Sequence, residues 1–298
     1  MNQPSIGIAA AAMECGVSAP TLRAWEKRYR FPTPLRATNG ERLYSADQVS
    51  KLVLIRRLIE RGHRASKIVL LDRDELQRLL DSIERKLPEA SVSLDFQKCL
   101  QGLSAKSIGD LRRLLQSALV RQGLSRFVLD TVRPLIQMVG EWWVGGKIEV
   151  FQEHLFVEQL ERLLQEAMAP LESAGAPTII LTTLTSEQHR LGLLMLEALL
   201  RLEGATCIPL GVQMPTSEIV KLTAASKADI VALTFSASYR DPQGRKLLLG
   251  LRRDLAAHIE IWAGGTQAAS IARAISGVAV FRGLEDGVAA YRDWRARA

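Results

Sequence analysis

His189 and Glu187 are the residues whose type and spacing are best suited to hold a metal ion. A neutral imidazole is a common ligand for transition metals. A carboxylate two positions earlier can bond the other ring nitrogen, which fixes the tautomer and raises the basicity of the ligand. The chain contains four histidines in all. A second one, His154, directly follows Glu153, so it is the next candidate for chemistry.

The elements around His189 alternate between short apolar strands and helices. Strands are predicted at 178–183, 206–210, 230–235, 260–263 and 278–281, and helices near 188–203, 216–226, 242–257, 267–275 and 286–297. Alternation with short connections predicts a doubly wound parallel sheet, an α/β domain of Rossmann-like (flavodoxin-like) type over residues 176–298. Such sheets bind ligands at the carboxyl ends of their strands, and His189 follows the first strand.

Small and polar residues also stand at the later strand ends. Segment 210–215 ends the second strand, Ser236 and Ser238 follow the third, and Gly264-Gly265 follows the fourth. Read in order, E-x-H-x-x-G, S-x-S and G-G resemble the motif of cobalamin-binding domains, which usually begins D-x-H-x-x-G. A domain that keeps this fold without binding a ligand is the alternative.

The resemblance to cobalamin-binding domains implies a role for each motif residue. His189 would ligate cobalt from below, and Glu187 would hold its ring. The other positions would admit the displaced nucleotide tail, by close backbone approach, by hydrogen bonding or by leaving room: Gly192, Ser236, Ser238, Gly264 and Gly265.

Residues 94–172 are rich in leucine at three- and four-residue spacing, which predicts a four-helix bundle with helices at 95–103, 107–121, 124–140 and 148–171. Trp142-Trp143 precedes Glu153-His154 here. The W-x9-E-H spacing resembles the helical cap of CarH/LitR-type photoreceptor repressors. That resemblance implies that Trp143 covers the upper face of a cobalamin and that Glu153 and His154 contact its adenosyl group. The best-known members have an upper-ligand His after the cap Trp, whereas this chain has Val144, which cannot ligate a metal.

The pattern of the first 75 residues predicts a helix, a turn and a second, basic helix. Residues 6–10 begin the first helix, Ser18 is a good N-cap for the second, at 19–29, and Leu22 and Trp25 are spaced to face inward. Asn39-Gly40 signals a turn between the strands of a small β-wing.

Thr21 to Glu26, Arg28-Tyr29 and Gly40-x-Arg42-Leu43-Tyr44 resemble the winged-helix DNA-binding domain of the MerR family. Glu41 departs from that pattern, because His or Tyr usually stands beside the wing arginine. A helical domain with a solvated basic face is the alternative reading. The predicted DNA-contacting residues are Thr21, Arg23, Lys27, Arg28, Arg42 and Tyr44.

Charge supports a DNA-binding head. Residues 1–80 contain 14 Lys and Arg against 8 Asp and Glu, whereas the remainder is close to neutral in a chain of net charge +7. No apolar run is long enough to cross a bilayer, and no signal peptide is recognisable. The three scattered cysteines are typical of reduced thiols. These features predict a cytoplasmic protein without a membrane partner.

The sequence therefore predicts a multidomain regulator: an all-α winged helix-turn-helix at 1–75, a linker at 76–93, the bundle at 94–172 and the α/β domain at 176–298. We expect it to bind double-stranded operator DNA and cobalamin, with adenosylcobalamin the favoured form, and to act as a repressor and a homo-oligomer (dimer or tetramer). It has no predicted catalytic residue. Two alternatives are a MerR-type activator whose C-terminal half serves dimerisation or partner binding without cofactor, and a corrinoid enzyme, which would need a catalytic partner domain.

Overall fold

The computed structural model describes residues 5–37, 40–60, 63–84, 93–104, 107–171, 173, 175–237, 239 and 242–297. The chain divides into two compact units. The first is Met1–Ser91 together with Ile136–Glu153, and the second is Val92–Leu135 together with His154–Ala298. None of the helices in these described ranges is long and apolar enough to span a bilayer.

The first unit is a small helical domain with a three-stranded sheet of order β1-β3-β2. Its elements are β1 (Ser5–Gly7), α1 (Ile8–Cys15), α2 (Ala19–Tyr29), β2 (Leu35–Arg36), β3 (Arg42–Ser45), α3 (Ala46–Glu60), α4 (Ala65–Ile68) and α5 (Arg73–Glu84). The predicted limits of the second helix are confirmed, because the Ser18 hydroxyl accepts from the Thr21 amide at 3.3 Å and caps α2. The wing is also confirmed, with Arg36 opposite Arg42 in the antiparallel β2–β3 pair. Asn39 lies outside the described residues.

Ile6 was expected in a helix and instead lies in β1, opposite Tyr44 of β3. A three-residue strand has too short a pattern to be recognised, and only its pairing with β3 distinguishes it from a helix start. The head is therefore a mixed domain and not purely helical.

The first core extends beyond residue 75. Leu22 and Trp25 are buried in it, as predicted, together with Leu76 and Leu80 of α5. A reciprocal capping box starts α5, since Asp72 and Glu75 each accept the other's backbone N–H, at 2.7 and 2.8 Å. The beginning of the predicted linker is thus a packed helix.

The second unit begins with helices that carry much of the predicted bundle. They are α6 (Leu94–Gln101), α7 (Ile108–Gln122), α8 (Leu124–Arg126), a π-helical turn (Phe127–Val132), α9 (Arg133–Val144) and α10 (Val150–Met168). The last residues of α9 and the first of α10 belong to the first unit. The third predicted helix ends four residues later than expected, so Trp142 and Trp143 are helical.

A five-stranded parallel sheet of order β5-β4-β6-β7-β8 completes the second unit. The strands are β4 (Thr178–Leu184), β5 (Thr206–Met214), β6 (Ile230–Thr234), β7 (Glu260–Gly264) and β8 (Val278–Val280), and the helices are α11 (Leu191–Leu202), α12 (Thr216–Ser226), α13 (Pro242–Asp254), α14 (Ala268–Ile271) and α15 (Leu284–Arg297). Val231 and Leu233 enter one apolar core and Ala232 the other, so both sheet faces are covered. The doubly wound α/β fold is confirmed.

Two boundaries in this domain differ from the sequence prediction, and both matter for the site. Helix α11 begins at Leu191 and not near 188, which leaves residues 185–190 as a loop. Strand β5 continues to Met214, so most of segment 210–215 is strand. Its pairing with β4 shifts register twice after Leu181, which lets the edge strand run on past the regular ladder.

We predict that Leu76→Ala lowers the free energy of unfolding of the first unit by about 2–5 kcal/mol, because Leu76 is fully buried and its truncation leaves a cavity. Arg78→Ala, on the exposed side of α5, is the matched control and should change stability by no more than about 0.5 kcal/mol. Urea unfolding followed by far-UV circular dichroism measures both. Equal effects would contradict the assignment of α5 to the first core.

Candidate functional site

The loop after β4 holds Glu187 and His189 as a hydrogen-bonded pair. Nδ1 of His189 lies 2.7 Å from Oε1 of Glu187, and the His189 amide donates to the same oxygen at 2.9 Å. Glu187 is 1% exposed, whereas the His189 side chain is 48% exposed. The carboxylate therefore fixes the ring through Nδ1, and Nε2 is the nitrogen that would coordinate a metal.

Glu187 also joins two strand ends. Its second oxygen, Oε2, accepts the backbone N–H of Ser236, just beyond β6, at 2.7 Å. Burial alone would raise the pKa of Glu187, but the hydrogen bond and charge of His189 and the amides of His189 and Ser236 outweigh it and hold the pKa below its ordinary value. The carboxylate is thus ionised over the whole neutral range.

Thr183, near the end of β4, holds the loop after that strand and was not selected from the sequence. Its hydroxyl donates to the Glu187 carbonyl at 2.6 Å and accepts the Gln213 amide of β5 at 2.7 Å. Tyr239 donates through its hydroxyl to the Thr185 carbonyl at 3.3 Å. The only available signal was a pair of threonines, at 182 and 183, in an otherwise apolar strand.

A salt bridge connects the same loop to the bundle. Nε of Arg190, the residue after His189, lies 3.3 Å from Oε1 of Glu161 on α10. Burial raises the pKa of Glu161, and the charge of Arg190 acts against that rise. The loop is therefore held from the sheet side by Thr183 and from α10 by Glu161.

The three glycines of the motif differ in how closely other atoms approach them. Gly265 has φ +93°, and a Cβ on it would lie 2.5 Å from the Phe235 carbonyl oxygen, so no larger residue can replace it. A Cβ on Gly192 would lie 3.3 Å from Oγ1 of Thr234, which also faces Gly265. A Cβ on Gly264 would meet no heavy atom within 4 Å. Thr234 thus stands between the two close-approach glycines, and sequence reasoning missed it. Ser238 lies outside the described residues.

The predicted cap residues are distributed over both units. Trp143 belongs to the first unit and packs against the apolar core of that unit. Its neighbours there are thus protein side chains, and its predicted place above a corrin remains a prediction. Glu153, on the first turn of α10, is half-buried, and His154 is exposed.

The predicted DNA-contacting residues mostly share one surface. Arg23, Lys27 and Arg28 are exposed along α2, and Thr21 stands half-exposed at its start. Arg42 of the wing is bonded to Glu26 of α2 at 2.8 Å, which joins wing and helix. Arg36, not selected from the sequence, is also exposed on the wing and bonds the Gly40 carbonyl at 3.4 Å.

Tyr44 does not belong to that surface. Its ring is 0% exposed, and its hydroxyl is buried without a hydrogen-bond partner among the described residues. The prediction that Tyr44 contacts DNA is wrong for this structure, because β1 pairs beside it and the first core covers the ring.

The donor set around His189 limits the kind of metal group that would suit it. Across the described ranges, no three His, Cys, Asp or Glu side chains are grouped to bind an ion. A single oriented imidazole therefore suits a metal whose other ligands come from elsewhere, such as a macrocycle.

Comparison with known proteins agrees with both halves of the chain. A model of the family "MerR HTH family regulatory protein" matches residues 7–74, and a "B12 binding domain" model matches residues 177–292. The chain is 28% identical to the HTH-type transcriptional repressor CarH of Myxococcus xanthus, over 96% of this chain and 98% of that one. The chain belongs to the MerR-type transcription regulators that carry a B12-binding domain.

Further similarities of this regulator are consistent with that family. It is 27% identical to the HTH-type transcriptional repressor CarA of the same organism, over 78% of this chain and 76% of that one. Among solved structures, it resembles the monomethylamine corrinoid protein of Methanosarcina barkeri with a TM-score of 0.50 and 15% identity, covering 67% of this chain and 96% of that chain. That likeness concerns the fold alone.

We predict that Tyr44→Phe leaves the DNA affinity of the regulator within about twofold and does not lower its stability, because the buried hydroxyl lacks a partner. Arg23→Ala, on the exposed face of α2, should weaken binding by about 1–3 kcal/mol if it reads a base, or reduce the salt slope by about one if it contacts a phosphate. Fluorescence anisotropy on a duplex selected from a random pool measures both. A large loss for Tyr44→Phe would contradict its placement in the core.

Proposed function

We propose that the regulator is a transcriptional repressor whose DNA binding and assembly are controlled by a cobalamin, adenosylcobalamin being the form expected. The observation that carries the proposal is the Glu187–His189 pair at the carboxyl edge of the parallel sheet. A buried carboxylate that fixes a half-exposed imidazole is the arrangement by which a protein prepares a histidine to ligate a metal.

The surrounding residues support a corrinoid rather than a bare ion. One imidazole and no further clustered ligand among the described residues suits cobalt held by a ring. By their motif positions, Gly192 and Gly265 would border the nucleotide tail of the cofactor, and a Cβ on Gly264 would meet no heavy atom within 4 Å. Ser236, and Ser238 by the motif, would hydrogen-bond that group. When bound, cobalamin would supply the cobalt ion that His189 would hold as a ligand.

The DNA half of the proposal rests on α2 and the wing. Arg23, Lys27 and Arg28 share the exposed side of α2, which is the geometry of a recognition helix in the major groove. The Arg42–Glu26 bond holds the wing against that helix. Phosphate neutralisation by these cations would make binding strongly dependent on salt.

The proposed sign of regulation of this protein is inferred from its relatives. CarH and CarA are named transcriptional repressors, and we propose the same sign of regulation here. A homo-oligomer, dimer or tetramer, acting in the cytoplasm on double-stranded operator DNA completes the proposal. The protein needs no catalytic residue for this role.

Val144 limits how light would act on this protein. The residue after the cap tryptophan has no metal-ligating atom, and it is 4% exposed in the first core. We therefore propose that, if light is a signal, it acts by removing the adenosyl group and the contacts of Trp143, Glu153 and His154 with it, without a histidine adduct at this position.

The experiment is cobalamin retention by matched histidine variants. The full chain is incubated with adenosylcobalamin in the dark or with hydroxocobalamin, desalted and examined by absorption spectroscopy. His189→Ala should weaken binding at least tenfold and lose the spectrum of histidine-ligated cobalt. His258→Ala, an exposed histidine of the same domain, should match the unmodified chain.

Two results would overturn the proposal. One is an unmodified chain that retains no corrinoid, which would favour the cofactor-free activator. The other is equal binding and equal spectra in the two variants, because ligation by His189 requires that they differ.

A further inference from the structure

The turn between α9 and α10 is docked on helix α3 of the DNA-binding core. The guanidinium carbon of Arg57, on α3, lies 5.8 Å from the centre of the Trp143 ring. Val144 is buried in the same apolar cluster. All three residues belong to the first unit, so this contact is part of the packing of the DNA-binding domain itself.

Two polar groups at this contact are buried without a hydrogen-bond partner among the described residues. Arg57 is 8% exposed, and neither its Nε nor the Nε1 of Trp143 has a hydrogen-bond partner within the described ranges. Burial lowers the pKa of Arg57, and only the charge of Glu149 acts against it. A cation–π contact offsets part of the desolvation, but unsatisfied buried donors are costly. The turn therefore packs closely on α3, but the two unsatisfied donors lower the stability of this contact.

The turn is shaped around the guanidinium. Gly146 has φ +72°, and a Cβ on it would lie 2.8 Å from Nη1 of Arg57. Helix α10 then starts directly, with the Gln152 side chain accepting the Glu149 amide at 2.8 Å. The turn and the first residues of α10 are therefore joined by this side-chain hydrogen bond as well as by the backbone.

We propose that Arg57, Trp143 and Val144 form a latch, in which Trp143 packs against the DNA-binding core in the cofactor-free protein and leaves that core when cobalamin is taken up. The latch rests on the proposed function, because it assigns Trp143 to the corrin in the loaded state. An indole ring that packs against this core with its Nε1 buried would have to leave it to cover a corrin, so the two positions exclude each other. Two unsatisfied donors make the docked position one that a ligand can displace.

The latch has two linked consequences. Cobalamin affinity is reduced by the fraction of molecules in which Trp143 is docked. Reciprocally, cobalamin must loosen the core around α3, since coupling between two binding equilibria acts equally in both directions. This gives the cofactor a direct physical route to the DNA-binding domain.

The test varies Arg57, which is not among the proposed cofactor residues. Arg57→Glu places a carboxylate against the indole face and near Glu149, so docking weakens and cobalamin should bind several-fold tighter. Arg57→Met removes the buried charge and its unsatisfied Nε donor while keeping apolar contact with the ring, so docking strengthens and cobalamin should bind at least about threefold more weakly. Arg56→Glu and Arg56→Met are matched controls, because Arg56 packs beside Gly16 instead.

Affinity is measured by absorption titration with adenosylcobalamin in the dark and with hydroxocobalamin. Hydrogen exchange of α3 is followed with and without cofactor, and circular dichroism checks that each variant is folded. In the unmodified chain, cobalamin should speed exchange in α3. If Arg57→Glu fails to fold, the cobalamin affinity of Arg57→Met and the hydrogen exchange of α3 in the unmodified chain still test the latch.

The latch is overturned if the Arg57 variants shift cobalamin affinity no more than the Arg56 controls, or if bound cobalamin leaves exchange in α3 unchanged. In either case, cobalamin binding that still depends on His189 would leave the proposed function standing. A chain that binds no cobalamin would instead overturn the proposed function, and the latch with it.

Discussion

The carboxylate of Glu187 accepts three hydrogen bonds at once, from the His189 ring, the His189 amide and the Ser236 amide. A buried carboxylate is costly unless such donors surround it. Because these donors come from the loop after β4 and from the end of β6, their common acceptor fixes the relative position of both. The loop could not present His189 in one orientation without it.

The rest of the second unit can be understood from that constraint. Parallel order β5-β4-β6 places β4 between the edge strand and β6, so its loop can be held from both sides. Thr183 ties it to β5, and Ser236 ties it to the segment after β6. The close contacts at Gly192 and Gly265 then follow from how tightly α11 and the β7 loop approach Thr234. An α/β sheet of ordinary construction thereby presents one oriented imidazole at its edge.

Much of this arrangement was predictable because it depends on local sequence. Ser18 caps α2, and the apolar runs that form β4, β6 and β7 are short and flanked by turn residues, so these elements were located within a residue or two. The pairing of Glu187 with His189 was also expected from the resemblance of their motif to cobalamin-binding domains. These are interactions between neighbours in the chain.

The features that the sequence did not predict concern interactions between distant segments. Tyr44 carries a polar group and follows a wing arginine, which favours a DNA contact, but the pairing of β1 buries it. Trp143 has apolar spacing that fits any core, and sequence alone cannot say which core it enters. Thr183 and Thr234 act through backbone groups of other strands, so no pattern of side chains marks them. The extension of the first core to α5 depends likewise on packing against α3.

The central claim is that cobalamin controls DNA binding by this chain. Its most direct test measures affinity for a selected DNA duplex, at one fixed salt concentration, for the cofactor-free protein, for the protein loaded with adenosylcobalamin in the dark, and for the loaded protein after illumination. The account predicts that affinity for DNA differs by at least tenfold between the cofactor-free and the dark-loaded protein, and that His189→Ala abolishes this difference. Equal affinity for DNA in all three states, with cobalamin demonstrably bound, would contradict it.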